Sequence, residues 1–212
     1  MQIGEGFLYT LLLFFLTLLF SLPLGLLIAF GSMSRFFPLS ILSRGLVWVI
    51  RGTPLRLQIF AFTTIPGWVF GYGLRSIEAL FVAVMLAFVL NYACYFSEIY
   101  RSGIQSIPRG QYEAGQVLGM TKGQIFRRVV LLQVIKRIVP PMSNEIITLV
   151  KDTSLASTAS LSIEMMYISE QLANRYVVVW PFAIAACFYL IFNGLVSFLL
   201  GRLEKKLDYF KA

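Results

Sequence analysis

Twenty-four consecutive residues, Phe7 to Phe30, carry no charged side chain and few polar ones. A hydrocarbon layer about 30 Å thick is crossed by roughly 20 apolar residues of helix. A backbone in lipid must satisfy its own hydrogen bonds, which leaves helices and closed barrels as the spanning folds. The run is preceded by Glu5 rather than a basic segment, and it is too long for the apolar core of a secretion signal. It is therefore read as a retained membrane helix. Of all 212 residues, 58% are hydrophobic and 13% are charged, more apolar surface than a soluble domain of this size can hide. These features predict an all-α integral membrane protein with one membrane domain over residues 1–212.

Five crossings fit the pattern. The first runs from Phe7 to about Gly31, bent at Pro23 and Gly25. A basic connector, Arg35 to Arg56, follows, in which Thr53 suits a helix N-cap and Pro54 a first helical position. The second crossing, about Leu57 to Gly71, is interrupted by Thr63, Thr64, Pro66 and Gly67. The third is Ile77 to about Ile99, and a polar loop covers Tyr100 to Lys136. The fourth starts near Arg137 and finishes with the run Leu155 to Ile163. The fifth is about Val177 to Leu200.

Charge orients these spans. Fifteen of the 18 basic residues fall in the connector, the central loop and the tail through Lys211. Arg75 and Arg175 face the other way, with Glu5, Glu78, Glu164 and Glu170. Basic residues collect on the cytoplasmic side of membrane proteins. The loop and the C-terminus are expected in the cytoplasm, and the N-terminus outside.

The basic balance does not indicate nucleic acid, because no recognisable binding fold or patch accompanies it. The chain has no histidine, and its two cysteines, Cys94 and Cys187, sit in apolar runs. A structural zinc site and a disulfide framework are not expected. No metal and no cofactor is assigned. No Gly-x-x-x-x-Gly-Lys-Ser/Thr loop occurs, so the sequence supplies no phosphate-cradling nucleotide site and no catalytic residues.

The central loop has its own design. Pro108 suits the first turn of a helix that carries Glu113 and Ala114. Gly119 breaks it, and Thr121 with Gln124 forms a capping-box pattern for a second helix with Ile125, Phe126, Val129 and Val130. A helix-glycine-helix knob on a cytoplasmic surface fits a groove in a partner. An interfacial amphipathic helix pair has the same pattern.

Glu113-Ala114-Gly115 followed by Gly119 resembles the cytoplasmic coupling loop of ABC importer permeases. The likeness extends over nearly the whole chain. Glu98 to Ile104, Ile107 to Gln111, Leu118-Gly119, Lys151 to Leu155 and, upstream, Arg51 to Leu55 with Gln58 resemble the running signature of the polar amino-acid uptake permeases. Gly115 stands where that loop usually has alanine, and Leu132 where a proline usually precedes the glutamine. The resemblance implies a bacterial inner-membrane subunit that moves polar amino acids. It implies docking on an ATP-binding cassette subunit through Arg109, Glu113, Ala114, Gly115 and Gly119. It also implies a second permease subunit, identical or not, and an extracytoplasmic solute-binding protein. An ion-gradient-driven secondary transporter or channel is the alternative, and a membrane scaffold is a third reading.

Ionisable residues inside membrane helices are costly and usually functional. Asn91 and Glu98, and again Glu145 and Asp152, are seven residues apart, so each pair shares a helix face. Glu98 can equally pair with Arg101 one turn on, and Glu145 with a neighbouring helix. Lys151-Asp152-Thr153-Ser154 reads as a mid-membrane break, because Asp, Thr and Ser prefer helix caps. A break of this kind exposes backbone donors to a substrate carboxylate. Asn91, Glu98, Lys151, Asp152, Thr153 and Ser154 are the candidate substrate-binding residues. A self-neutralising Lys151–Asp152 pair is the competing explanation.

Overall fold

The computed structural model describes residues 2–71, 73–74, 76–159 and 161–207. Arg75 and Lys211, both counted in the charge asymmetry, lie outside the described residues. Helices α1 (Gln2–Ser32), α4 (Ile77–Gln105) and α9 (Trp180–Leu207) are, among the described residues, the three long and apolar enough to cross a membrane. α1 packs most extensively along α4. Gly25 permits this, since a Cβ there would stand 2.8 Å from the Ala93 carbonyl oxygen. α1 continues through Pro23 as one helix. α4 continues past Ile99 to Gln105, so Arg101, expected in the polar loop, is helical like Glu98.

The expected basic connector is a helix, α2 (Phe37–Arg51). Its buried residues Ser40, Ser43, Val47 and Ile50 recur at helical spacing, a pattern masked by the flanking arginines. The Arg44 Nε and the Ser40 hydroxyl both donate to the Ser32 carbonyl, at 3.1 and 3.0 Å. They satisfy an acceptor that the end of α1 would otherwise leave open, and the cation suits the negative end of the helix dipole. α3 (Leu55–Phe70) follows after a break at Gly52-Thr53-Pro54. Pro54, one residue after the predicted position, is the N-cap of α3. Thr53 instead donates back to Val49 and Ile50 at the end of α2. Ile50 packs with Ala93 and Cys94, and Gln58 bonds to Asn91, so α2 and α3 both lie along α4.

The central loop forms α5 (Arg109–Val117) and α6 (Lys122–Ile125). α6 passes through a π-helical turn, Phe126–Val130, directly into α7 (Leu131–Asp152). Pro140 and Pro141 lie inside α7. The backbone then tightens into a 3-10 segment, Thr153–Ala159. α8 (Met165–Tyr176) returns to α9 through Val177, which adopts a left-handed φ of 54°.

Glu164, only 1% exposed, fastens one end of the bundle. It is the N-cap of α8, accepting from the Met166 and Tyr167 amides at 2.8 and 3.1 Å. Its other oxygen accepts from the Thr10 hydroxyl of α1 at 3.1 Å and the Tyr189 hydroxyl of α9 at 3.2 Å. A buried carboxylate is tolerated where such partners replace water.

Candidate functional site

A cavity of about 570 Å³ opens where the α2–α3 break meets α4 and α7. Arg51 to Leu55 form one wall. Asn91, Tyr92 and Tyr95 of α4 form the second, and Glu145, Thr148 and Asp152 of α7 the third. The Tyr92 hydroxyl donates to Asp152 Oδ2 at 2.8 Å, which fixes the carboxylate against α4. Asn91 Nδ2 donates to Gln58 Oε1 at 2.9 Å. The Gln58 amide in turn donates to the Ile50 carbonyl at 2.7 Å and to the Thr53 carbonyl and hydroxyl at 3.0 Å. This chain of bonds pins the helix break beside the cavity.

The two sides of the cavity differ in charge. The start of α3 has no side-chain cap, and its first amides lack intrahelical acceptors, so it carries partial positive charge. Arg51 adds a full charge, with its guanidinium 5.0 Å from the Tyr95 ring centroid. Glu145 and Asp152 are the acids opposite. A second cavity, about 610 Å³, adjoins the first and shares Arg51, Gly52 and Tyr95 with it. Glu98 lines this second space. It is held by Arg101 through two bonds of 2.9 and 2.6 Å, with Arg51 3.7 Å away.

The structure thus divides the six predicted binding residues. Asn91 and Asp152 meet in one cavity, and Glu98 lines its neighbour. Lys151 is exposed and lines neither. Thr153 is 1% exposed and donates to the Val150 carbonyl, and Ser154 donates to the Lys151 carbonyl. Both hydroxyls are used within the helix. The expected break at 151–154 takes the form of an α-helix that ends at Asp152 and a 3-10 segment that starts at Thr153, with these short side chains back-bonded to the preceding turn. A further interruption lies at 52–54, where Pro54 lacks a helical amide and disfavours a helical Thr53. Arg51, Tyr92, Tyr95 and Glu145 join the site without having been named for it. The seven-residue spacing of Glu145 from Asp152 was the available signal.

The central loop forms a separate surface. Gly119 has φ +69°. Its amide donates to the Gln116 carbonyl at 2.9 Å, and the Met120 amide to the Gly115 carbonyl at 3.0 Å. This is a Schellman C-cap, which needs the left-handed residue that glycine supplies. The Thr121–Gln124 capping box is complete. Gly115 seats α5 on α6: a Cβ there would lie 2.6 Å from Ile125 Cγ1. Beneath the loop, Ile107, Ile125, Val130 and Val134 form a small core, and Arg137 donates to the Ser106 carbonyl. Arg109, Glu113, Ala114 and Gly119 are exposed. So are Val117 at 87% and Leu118 at 78%, which leaves an apolar tip.

A helical membrane bundle with a polar cavity and a protruding loop defines the class of a multi-pass transport subunit. Residues 21–209 match the family described as binding-protein-dependent transport system inner membrane component, and the chain belongs to that family. It is 37% identical to the L-cystine transport system permease protein TcyB of Bacillus subtilis over 99% of this chain and 88% of that protein. It is 35% identical to the octopine transport system permease protein OccM of Rhizobium radiobacter, over 87% of this chain and 79% of that one. A crystal structure of an amino acid ABC transporter with histidines superposes with a TM-score of 0.86 at 30% identity, covering 97% of this chain and 94% of its counterpart. The methionine transporter MetNI shares the fold, with a TM-score of 0.67 at 18% identity over 97% and 94%. The family sets aside the ion-gradient-driven alternative.

Proposed function

We propose that this chain carries polar amino acids inward through the cavity between the α2–α3 break, α4 and α7, driven by an ATP-binding cassette subunit docked on the α5–α6 loop. The observation that carries the substrate reading is the cavity's opposed charge. Arg51 and the start of α3 suit a carboxylate, while Glu145 and Asp152 suit an ammonium or a cationic side chain. Relatives named for octopine, cystine and glutamine transport support an amino-acid or amino-acid-like cargo.

The chain forms a single domain that crosses the bilayer five times. α2 with α3 makes one crossing, and α7 with the 3-10 segment makes another. The N-terminus is outside and the C-terminus in the cytoplasm, as the basic residues direct. The protein pairs with a second permease subunit and receives cargo from a solute-binding protein. It has no nucleotide site, so ATP hydrolysis occurs on the partner. Val117 and Leu118 seat in the partner's groove, with Arg109, Glu113 and Ala114 around them and Gly115 and Gly119 setting the loop's shape.

The test is uptake by proteoliposomes holding the assembled transporter, with Glu145→Gln, Asp152→Asn and Arg51→Gln introduced singly. Each is expected to lower uptake at least about tenfold, the effect of losing one charge-assisted contact to a substrate. The variants should still couple to the ATPase in detergent. Unchanged uptake in all three would overturn the site.

A further inference from the structure

A third space, a groove of about 430 Å³, lies between the first turns of α1 and α8. It exists because Gly6 brings the helices together. A Cβ there would stand 2.8 Å from Ile168 Cδ1 and 2.9 Å from Met165 Cα. Two opposite charges face this groove, Glu5 on α1 and Arg175 near the end of α8. They make no ion pair with each other among the described residues. Arg175 instead lies 5.6 Å from the centroid of Tyr176. Tyr9 and Tyr167 supply aromatic walls, the side chains that favour the headgroup layer of a bilayer.

One further feature identifies the occupant. Glu5, Tyr9, Leu12, Leu19 and Phe20 fall on one face of α1 by helical spacing. Tyr9, Leu12, Leu19 and Phe20 are 41 to 63% exposed. The groove therefore stands at the head of an apolar stripe long enough for an acyl chain. We propose that it binds one phospholipid with a zwitterionic, primary-amine headgroup: Glu5 takes the ammonium, Arg175 the phosphate, and the tail lies along α1. A free amino acid has the same pair of charges but makes no use of the stripe.

Native mass spectrometry of the complex purified with the full chain would test this. The probes are dioleoyl phosphatidylethanolamine, dioleoyl phosphatidylglycerol and free glycine, added at equal concentration. The wild type is expected to hold one phosphatidylethanolamine about tenfold more tightly than phosphatidylglycerol. Glu5→Gln should erase that preference and leave phosphatidylglycerol retention unchanged. Arg175→Gln should weaken both lipids. Both side chains are exposed, and an unchanged elution profile and melting temperature would verify folding. Equal retention of the two lipids by the wild type would overturn the proposal, as would Glu5→Gln weakening both lipids alike. Displacement of the lipid by glycine would reassign the groove to a soluble zwitterion and overturn it too.

Discussion

Asp152 is the residue on which structure and transport separate most clearly. Its carboxylate accepts the Tyr92 hydroxyl and faces the cavity at once. Asp152→Asn keeps an acceptor for Tyr92, so thermal stability of the assembled transporter should fall by about 1 kcal/mol or less. Uptake should fall far more. If uptake declines only in proportion to folded protein lost, Asp152 is structural. Glu164 should behave in the opposite way. Glu164→Ala removes four hydrogen bonds, two of them the N-cap of α8, a loss of about 2–4 kcal/mol, and should lower the melting temperature markedly. Residual uptake per folded molecule should stay near that of the wild type. Glu164→Gln, which retains hydrogen-bonding capacity towards the same groups, should recover most of the stability.

At the level of elements, the loop is the most testable piece. Gly115→Ala brings a methyl group within 2.6 Å of Ile125 Cγ1. Alone it should loosen α5 from α6, and paired with Ile125→Ala it should be tolerated. Protection of the loop from limited proteolysis would report both outcomes. Gly119→Trp puts a bulky side chain at φ +69°, costing about 1–2 kcal/mol and displacing the knob. Glu113→Lys reverses an exposed charge on it. Both should reduce co-purification of the ATPase while the chain stays in the membrane; full recovery with both variants would refute the docking role. This loop was readable from the sequence because its signals are local: a proline, a glycine, a Thr-x-x-Gln capping box. The start of α3 was also readable, within one residue, from Thr53-Pro54, but the helix α2 before it was not. Counting charges hid α2, since the arginines beside its buried stripe are exposed, Arg44 bonding the end of α1 and Arg51 lying beside Glu98 and Tyr95. The Lys151 to Ser154 run was readable as the end of an α-helix, but not as a passage into a 3-10 segment, because cap-forming residues also bond backwards to the preceding turn. Asn91 and Asp152 were legible as intramembrane polar groups, but Arg51 needed the tertiary packing of α2 on α4 to become part of the site.

On the scale of the whole molecule, the absence of a phosphate loop predicts that the purified chain neither binds nor hydrolyses ATP. Equilibrium dialysis with labelled nucleotide should show no retention until an ATP-binding subunit is added, and tight binding by the chain alone would contradict the assignment. The backbone is helical without interruption from Lys122 through the π-turn to Asp152. Glu145 therefore sits about 30 Å from Ile125 along a single rod, at 1.5 Å per residue. Rotating that rod by about 5° around its loop end would carry Glu145 sideways by about 2.6 Å, close to a hydrogen-bond length. On the docking proposed above, a small rocking of the ATP-binding subunit against this loop would thus make or break a contact at Glu145, with the rod acting as a lever and no intermediate relay of side chains required.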